Sequence, residues 1–356
     1  MTQKVRVGIL GASGYGGSGL IERLERHPHV ELAALASRQF EGQPLATCWP
    51  QFAGLFEHTF QDHESVVEAC EVLFYATPHG ATAPLVKLAI DAGKNVIDLS
   101  ADFRLTQNEY ETWYGQTHPH PELLPLARYG LTELHREELP GTQLVANPGC
   151  NASAASLALA PLAANGLLGE NVIAHVATGV SGAGRAPSLP FHFTEVTENV
   201  KPYKVAGTHR HTAEIEATLG RAKASGKRLE THRRTAGPVV SFNPHLVPMT
   251  RGILATCYTR PEKNLLDSER LLGIYREYYR GDPLIIVQDE LPQTKAVYGS
   301  DRTILSVRYD ARSQIVVAFA ALDNLGKGAA GQAVQNFNVV NDFEETLGLQ
   351  LEGVWP

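Results

Sequence analysis

Cysteine is scarce in this chain. There are four among 356 residues, at positions 48, 70, 150 and 257, and no two form a Cys-x-x-Cys pair. That spacing leaves no zinc-ribbon or dithiol redox motif. Charge is modest too: 19% of residues are charged, the formal net charge is −7, and lysine and arginine form no block. A nucleic-acid partner is therefore not expected. No apolar run approaches the roughly 20 residues that a membrane span needs. "MTQKVRVGILGAS" enters a strand pattern without a charged segment and long apolar stretch, so it does not read as a secretory signal. With no membrane or export feature, the expected location is the cytoplasm. What is present is ordinary globular composition, 43% hydrophobic, in a chain long enough to favour two domains.

The first 100 residues alternate between two patterns. "KVRVGIL", "VELAALAS", "EVLFYATP" and "NVIDLS" read as buried strands, while "GSGLIERLERH" and "GATAPLVKLAIDAG" read as helices. Alternating β and α segments with near-continuous apolar strands imply a parallel sheet covered on both faces. Residues 101–146 are loop-rich, with "THPHPELLPLARYG" showing little periodicity. Beyond residue 150 the character changes. "NVIAHVATGVSGAG" is a strand entering a glycine loop, and "GPVVSFNPHLVPMTRGILATCYTR" is two long strands with a loop between them. "DSERLLGIYREYYRGDP" is a helix with a Gly-Asp-Pro stop, and "ILSVRYDARSQIVVAFAAL" a hairpin turning at "DARSQ". The fold class expected is α/β: a Rossmann-type parallel sheet over 1–149, and over 150–326 a mixed α/β catalytic and dimerisation domain with a large, mainly antiparallel sheet. The small-residue helix beginning "KGAAGQAVQNFNVV", in 327–356, is expected to complete the first domain.

Between the first strand and the first helix lies "GASGYGGSG", in which Gly11, Gly14 and Gly17 are spaced three apart. Glycines there allow a tight turn and let a pyrophosphate approach the helix N-terminus. Ser13, Tyr15 and Gly16 belong to the same loop and join the expected cofactor set. An NAD site usually carries an acid at the tip of the second strand. Here "ELAALASRQ" ends with Ser37 and Arg38, a hydroxyl and a guanidinium that suit a 2′-phosphate, with Glu41 a few residues further on. The expected cofactor is NADP(H).

"NPGCNASAASLALAPL" puts Cys150 in the first turn of a helix. Helix N-termini present orphan N–H groups and about half a positive charge, a setting that favours a thiolate nucleophile. Cys70 and Cys257 lie in apolar runs and read as core. "GTHRHTAEI" places His209 and His211 two apart around Arg210; if the segment is extended, both rings share a face. Glu214 could add a metal ligand, but no zinc signature surrounds the pair and no metal is expected. A Cys–His arrangement fits better, though spacing does not choose between the two histidines.

"GASGYGG", "ATPHG", "DLSADFRL", "NPGC", "SGAGR", "HRHTAEI", "RGILAT" and "DNLGKGAAGQAVQ" occur in this order along nearly the whole chain. In these motifs the sequence resembles the N-acetyl-γ-glutamyl-phosphate reductases, relatives of aspartate-semialdehyde dehydrogenase. The resemblance implies an NADP-binding Rossmann domain, a catalytic domain with a large sheet, and a homodimer or homotetramer. It implies Cys150 as nucleophile and His209 as acid/base, with Ser181, Gly182 and Asn324 added to the cofactor set. Arg104, Asn147 and Arg210 are the expected substrate contacts. The implied reaction is reduction of an acyl phosphate through a Cys150 thioester, with release of inorganic phosphate, in arginine biosynthesis. A related branch reduces a carrier-linked aminoadipyl phosphate in lysine biosynthesis. A non-catalytic NADP-binding sensor would lack a reactive thiol, and a non-phosphorylating aldehyde dehydrogenase would ignore phosphate.

Overall fold

A computed structural model describes residues 4–225, 238–261 and 267–356. The chain divides into two compact units. The first comprises residues 1–132, 136–148 and 329–349; the second comprises 133–135, 149–328 and 350–356.

The first unit carries β1 (Val5–Leu10), β2 (Val30–Ala36), β3 (Phe60–Gln61), β4 (Val72–Tyr75), β5 (Asn95–Asp98), β6 (Ala127–Tyr129) and β7 (Leu144–Ala146). They form one sheet in the order β3-β2-β1-β4-β5-β7-β6, and every pairing is parallel. Strands apolar on both faces explain why helices cover both sides. Ile9 joins a core with Leu20, Phe74 and Phe337, whereas its neighbour Leu10 joins another with Val66, Tyr75 and Val86. The chain leaves β1 toward β2 and later returns to β4 on β1's other side. That reversal opens a crevice beyond the C-terminal ends of β1 and β4, where such sheets take ligands.

The loop-rich reading of 101–146 missed β6, β7 and the helix Gln107–Tyr114. Three-residue strands are too short to show a period. The helix did carry a signal, a capping box in which Thr106 and Glu109 satisfy each other's backbone amides. The tail is helical only over Gly331–Val340, preceded by a π-helical turn at Gly326–Ala330. Val334 and Phe337 of that helix sit in the first unit's core.

The second unit carries β8 (Asn171–Thr178), β9 (Lys201–Pro202), β10 (Val239–Leu246), β11 (Ile253–Thr259), β12 (Ile285–Val287), β13 (Thr303–Asp310) and β14 (Ile315–Leu322), in the order β12-β13-β14-β11-β8-β10-β9. Four pairings are antiparallel and two parallel. β13 and β14 form the expected hairpin. β10 and β11 do not pair with each other: β8 lies between them, parallel to β10 and antiparallel to β11. The helix His211–Ser225 precedes β10 and supplies the crossover that a parallel pairing requires.

The helix Cys150–Ala164 is buried on all sides from Asn151 to Ala163, as its alanine- and leucine-rich sequence demands. Pro161 interrupts its ladder, because proline has no N–H for the carbonyl of Leu157. The Tyr279 hydroxyl takes that role, donating to Leu157 O at 2.6 Å, and Tyr275 donates to Ala158 O. The helix is thus anchored at its middle, which fixes where its first residue stands.

Candidate active site

Cys150 is the first residue of that helix, after Gly149 as N-cap. The first helical bond runs from Ser153 N–H to Gly149 O, so the amides ahead of Ser153 lie outside the helical ladder. Gly149's own N–H donates to Glu214 Oε2 at 3.0 Å, and Glu214 is 1% exposed. A buried carboxylate therefore holds the cap. Of the four cysteines only Cys150 is not buried. Burial pushes the Cys70 thiol up to about 11 and the Cys257 thiol up to about 12, which suits inert core residues.

Around Cys150 the second unit gathers groups far apart in sequence. Asn151 Nδ2 donates to the Tyr203 hydroxyl at 3.2 Å. Burial, and after it the negative charge of a nearby Cys150 thiolate, push that phenol up to about 12, so it keeps its proton. The Tyr203 ring lies 5.5 Å from the His209 ring, which also meets Phe242 at 5.0 Å and His211 at 4.6 Å. His209 is neutral. Burial comes first, then the charges of His211 and Lys204, and together they push it down to about 2 against the opposing pull of Glu214. His211 pairs instead with Glu214 at 3.9 Å.

The two histidines are neighbours, but not by the extended route expected. His209 and Arg210 form a turn and His211 opens a helix, because the His211 amide donates to His209 Nδ1 at 3.1 Å. Arg210 is half-buried and is one of the charges that lower the His209 pKa. No group of three or more His, Cys, Asp or Glu that could hold a metal ion occurs among the described residues. Sequence reasoning passed over Tyr203, which no spacing rule marks, and weighed Glu214 only as a metal ligand.

Ser181, Gly182 and Asn324 come together in the same unit. Asn324 Nδ2 donates to Ser181 Oγ at 2.9 Å and its Oδ1 accepts the Gly252 amide at 2.8 Å. Asp323 beside it is fully buried and binds Arg251 at 3.0 Å and the amides of Gly299, Leu325 and Gly326. This network folds the segment after β14 into the π-helical turn. There Gly328 lies so close that a Cβ on it would stand 2.8 Å from Cys150 Cβ.

In the first unit a cavity of about 520 Å³ lies beyond β1 and β4, lined in part by Gly11, Ser13, Ser37, Arg38, Glu41 and Thr77. Gly11 has φ +80°, and a Cβ there would meet Ala76 O at 2.5 Å. A Cβ on Gly17 would likewise stand 2.5 Å from Ala12 Cα. Both glycines are required by the turn itself. A Cβ on Gly14 or Gly16, by contrast, would meet nothing closer than 3.4 Å beyond its chain neighbours and its own helix. Their missing side chains leave room for a group from outside, at the start of the helix Tyr15–Leu24. The residues present fit a dinucleotide. Ser37 Oγ donates to Ser13 Oγ at 2.8 Å, which ties the second strand's tip to the loop. Arg104, just past β5, is half-buried and donates to Leu99 O at 2.8 Å. Asn147 is buried, accepting from Asn336 at 2.9 Å and donating to Ala329 O at 3.2 Å, so its side-chain amide is held within the fold.

Comparison with known proteins gives the class. Residues 6–142 match the NAD binding domain of semialdehyde dehydrogenases, and residues 150–324 match their dimerisation domain. The solved aspartate semialdehyde dehydrogenase II of Vibrio cholerae in complex with ASA shares the fold, with a TM-score of 0.68 at 20% identity over 95% of this chain and 98% of that one. The Candida albicans enzyme solved with NADP gives 0.66 at 17% identity, over 95% and 98%. The chain is an oxidoreductase of the semialdehyde dehydrogenase class. Full-length relatives narrow this: proteins named N-acetyl-gamma-glutamyl-phosphate reductase from Thermus thermophilus and Desulforudis audaxviator are 50% and 46% identical, over 98% and 99% of this chain and all of theirs. The chain belongs to the N-acetyl-gamma-glutamyl-phosphate reductase family.

Proposed function

We propose that the protein reduces N-acetyl-γ-glutamyl phosphate to N-acetylglutamate 5-semialdehyde through a thioester on Cys150, with NADPH as reductant, in cytoplasmic arginine biosynthesis. The observation that carries this reading is the placing of Cys150. It is the one cysteine not buried, at a helix start whose cap amide is held by Glu214 and beside the Tyr203–His209 pair. The names of the full-length relatives favour the acetylglutamyl substrate over a carrier-linked one.

The Cys150 thiolate attacks the acyl carbon, the tetrahedral oxyanion collapses, and phosphate departs to leave the thioester. The amides at the helix start and the Tyr203 hydroxyl are donors suited to that oxyanion. Arg104 and Arg210 are the cations offered for the anionic groups of the substrate, with Asn147 as a further contact. Gly11, Ser13, Gly14, Tyr15, Gly16, Ser37 and Arg38 would hold the nucleotide, joined by Ser181, Gly182 and Asn324. When bound, the nicotinamide supplies the hydride that takes the thioester to the aldehyde level, and Cys150 then leaves as thiolate. Arg38 and Ser37 on the cavity wall support NADP(H) over NAD(H).

The open face of the second sheet supports a homo-oligomer. Ile173 and Val239 are exposed, and Ile173, Tyr258 and Val317 stand in one cross-strand row on that face. The deciding assay is oxidation of N-acetylglutamate semialdehyde by NADP, with and without inorganic phosphate. Turnover that requires phosphate supports the reading, and phosphate-independent turnover overturns it.

A further inference from the structure

We propose that His63 reads the base of the nucleotide cofactor. Its Nδ1 accepts a hydrogen bond from the exocyclic amino group of adenine, and the buried Tyr75 fixes it in that role. This rests on the reading of the cavity beyond β1 and β4 as the cofactor site.

The place follows from the sheet. β3 lies beside β2 in parallel register, with Leu35 opposite Phe60 and Ala36 opposite Gln61. The residues after Gln61 therefore emerge level with Ser37 and Arg38, and Asp62 and His63 line the same cavity as that pair. A base and a 2′-phosphate hang from one ribose. A nucleotide whose 2′-phosphate is held at Ser37 and Arg38 must lay its base close by. Pro78, Ala81 and Leu85 also line the cavity and offer apolar surface to the faces of a flat ring. For the polar edge of that ring there remain Gln61, Asp62 and His63.

Asp62 is already committed. As N-cap of the helix His63–Ala69, its Oδ1 accepts the Ser65 amide at 2.8 Å and its Oδ2 the Ser65 hydroxyl at 2.6 Å. Gln61 is exposed, and its side-chain amide can turn to present either oxygen or NH₂, so it does not tell a donor from an acceptor. His63 does. Its Nε2 lies 3.2 Å from the Tyr75 hydroxyl, which donates to Leu85 O at 3.1 Å. Tyr75 is fully buried, and burial pushes its phenol well above the usual range, so it keeps its one proton. A carbonyl oxygen only accepts, so that proton goes to Leu85. The hydroxyl then faces Nε2 with a lone pair, and Nε2 must carry the ring proton. The other tautomer would set two lone pairs against each other at one end of this chain.

Burial also holds the His63 pKa below its usual value, against the pull of Glu64 and Asp62, so the ring is neutral at pH 7. Nδ1 is therefore a bare acceptor. It takes no hydrogen bond from any group among the described residues and is not sealed in the core. Adenine brings to such an acceptor an amino group that only donates. Hypoxanthine puts a carbonyl oxygen in that place and carries its edge N–H one atom away, at N1. The two bases are otherwise alike, so a fixed acceptor separates them and a rotating amide does not.

The test compares NADP with deamino-NADP, its hypoxanthine counterpart, by calorimetric binding to the full-length protein without substrate. Wild type should bind deamino-NADP about 5- to 150-fold more weakly, the span for a hydrogen-bonding group left unpaired. His63→Phe keeps a ring but has no lone pair, so it should weaken NADP alone and bring the two dissociation constants together. Tyr75→Phe leaves His63 in place but frees its tautomer. Nδ1 can then carry the proton and meet the hypoxanthine oxygen, so deamino-NADP should gain affinity and the preference should shrink. Melting curves establish that both variants are folded. Equal binding of the two nucleotides by wild type overturns the proposal, as does a preference that persists unchanged in His63→Phe or Tyr75→Phe. Failure of the underlying cofactor reading looks different: wild type would then bind neither nucleotide, and the proposal would fall with it.

Discussion

Replacing Gly328 with alanine should damage catalysis through packing alone. Gly328 does not have a positive φ, so alanine brings no backbone penalty there. Its methyl, however, would stand 2.8 Å from Cys150 Cβ and 3.2 Å from both Leu322 Cδ1 and Asp323 O. Carbon atoms are comfortable at about 3.5–4.0 Å, so the turn and the nucleophile must part by about 1 Å. Overpacking of this size costs about 1–3 kcal/mol, and misplacing a reacting group by about 1 Å costs on the order of 10²-fold in rate. At roughly 2–4 °C per kcal/mol the melting temperature should fall by about 2–12 °C. The assays are kcat for semialdehyde oxidation, thermal melting, and the rate of Cys150 alkylation by iodoacetamide. Gly273→Ala is the contrasting control. That glycine lies within the helix Ser268–Tyr278, is exposed, and has nothing within 4 Å of its Cβ position. Alanine there should stabilise by about 1 kcal/mol and leave activity unchanged. A folded Gly328→Ala protein with wild-type kcat and wild-type alkylation would refute the claim that this turn fixes the cysteine.

Further predictions concern the cofactor, the core and pH. Arg38→Ala should remove a charge-assisted contact of about 1.5–3 kcal/mol, raising KM for NADP about 10- to 150-fold while sparing NAD; Michaelis constants for both cofactors check this. Lys327 and Glu133 are both fully buried in the side chain and lie 2.6 Å apart, so Lys327→Met should take this cation from the buried carboxylate and destabilise by about 3–5 kcal/mol in a denaturant titration. A loss below about 1 kcal/mol would contradict that. Asp98 is wholly buried, and burial pushes its carboxyl up to about 7 against the Ser100 hydrogen bonds and Arg104. A raised carboxylate pKa contributes stability that is full below about 4 and is lost as pH rises through about 7. Asp98→Asn should therefore gain on wild type in melting temperature as pH rises across that window, whereas a pH-independent difference would count against the assignment.

Much of the architecture is legible in the residues, for identifiable reasons. β1, β2, β4 and β5 announce themselves because strands covered on both faces must be apolar throughout. Cys150 is readable because helix ends have a sequence grammar of Gly, small and polar residues. β3, β6 and β7 are two or three residues long, and no period exists at that length. The pairing of β10 with β8 depends on a crossover, which alternation within a strand does not record. The His209–His211 geometry turns on one side chain accepting one amide, a local bond that competes with the extended backbone and leaves no mark in the pattern. Glu214 reaches Gly149 across 65 positions, and such contacts exist only once the sheet has brought its helices together. The motif "DNLGKG" is visible as text, but its physical task, Asp323 gathering three amides and Arg251 to seat Gly328 against Cys150, is visible only in three dimensions.

The most direct test of the central claim is to mix the enzyme with N-acetyl-γ-glutamyl phosphate in the absence of nicotinamide and examine the protein by mass spectrometry. The account predicts release of one phosphate per active site and an acetylglutamyl mass on the peptide that carries Cys150, discharged when NADPH is added and absent in Cys150→Ser. Turnover by an enzyme that acquires no such adduct, or an adduct that persists on another residue when Cys150 is replaced, would contradict it.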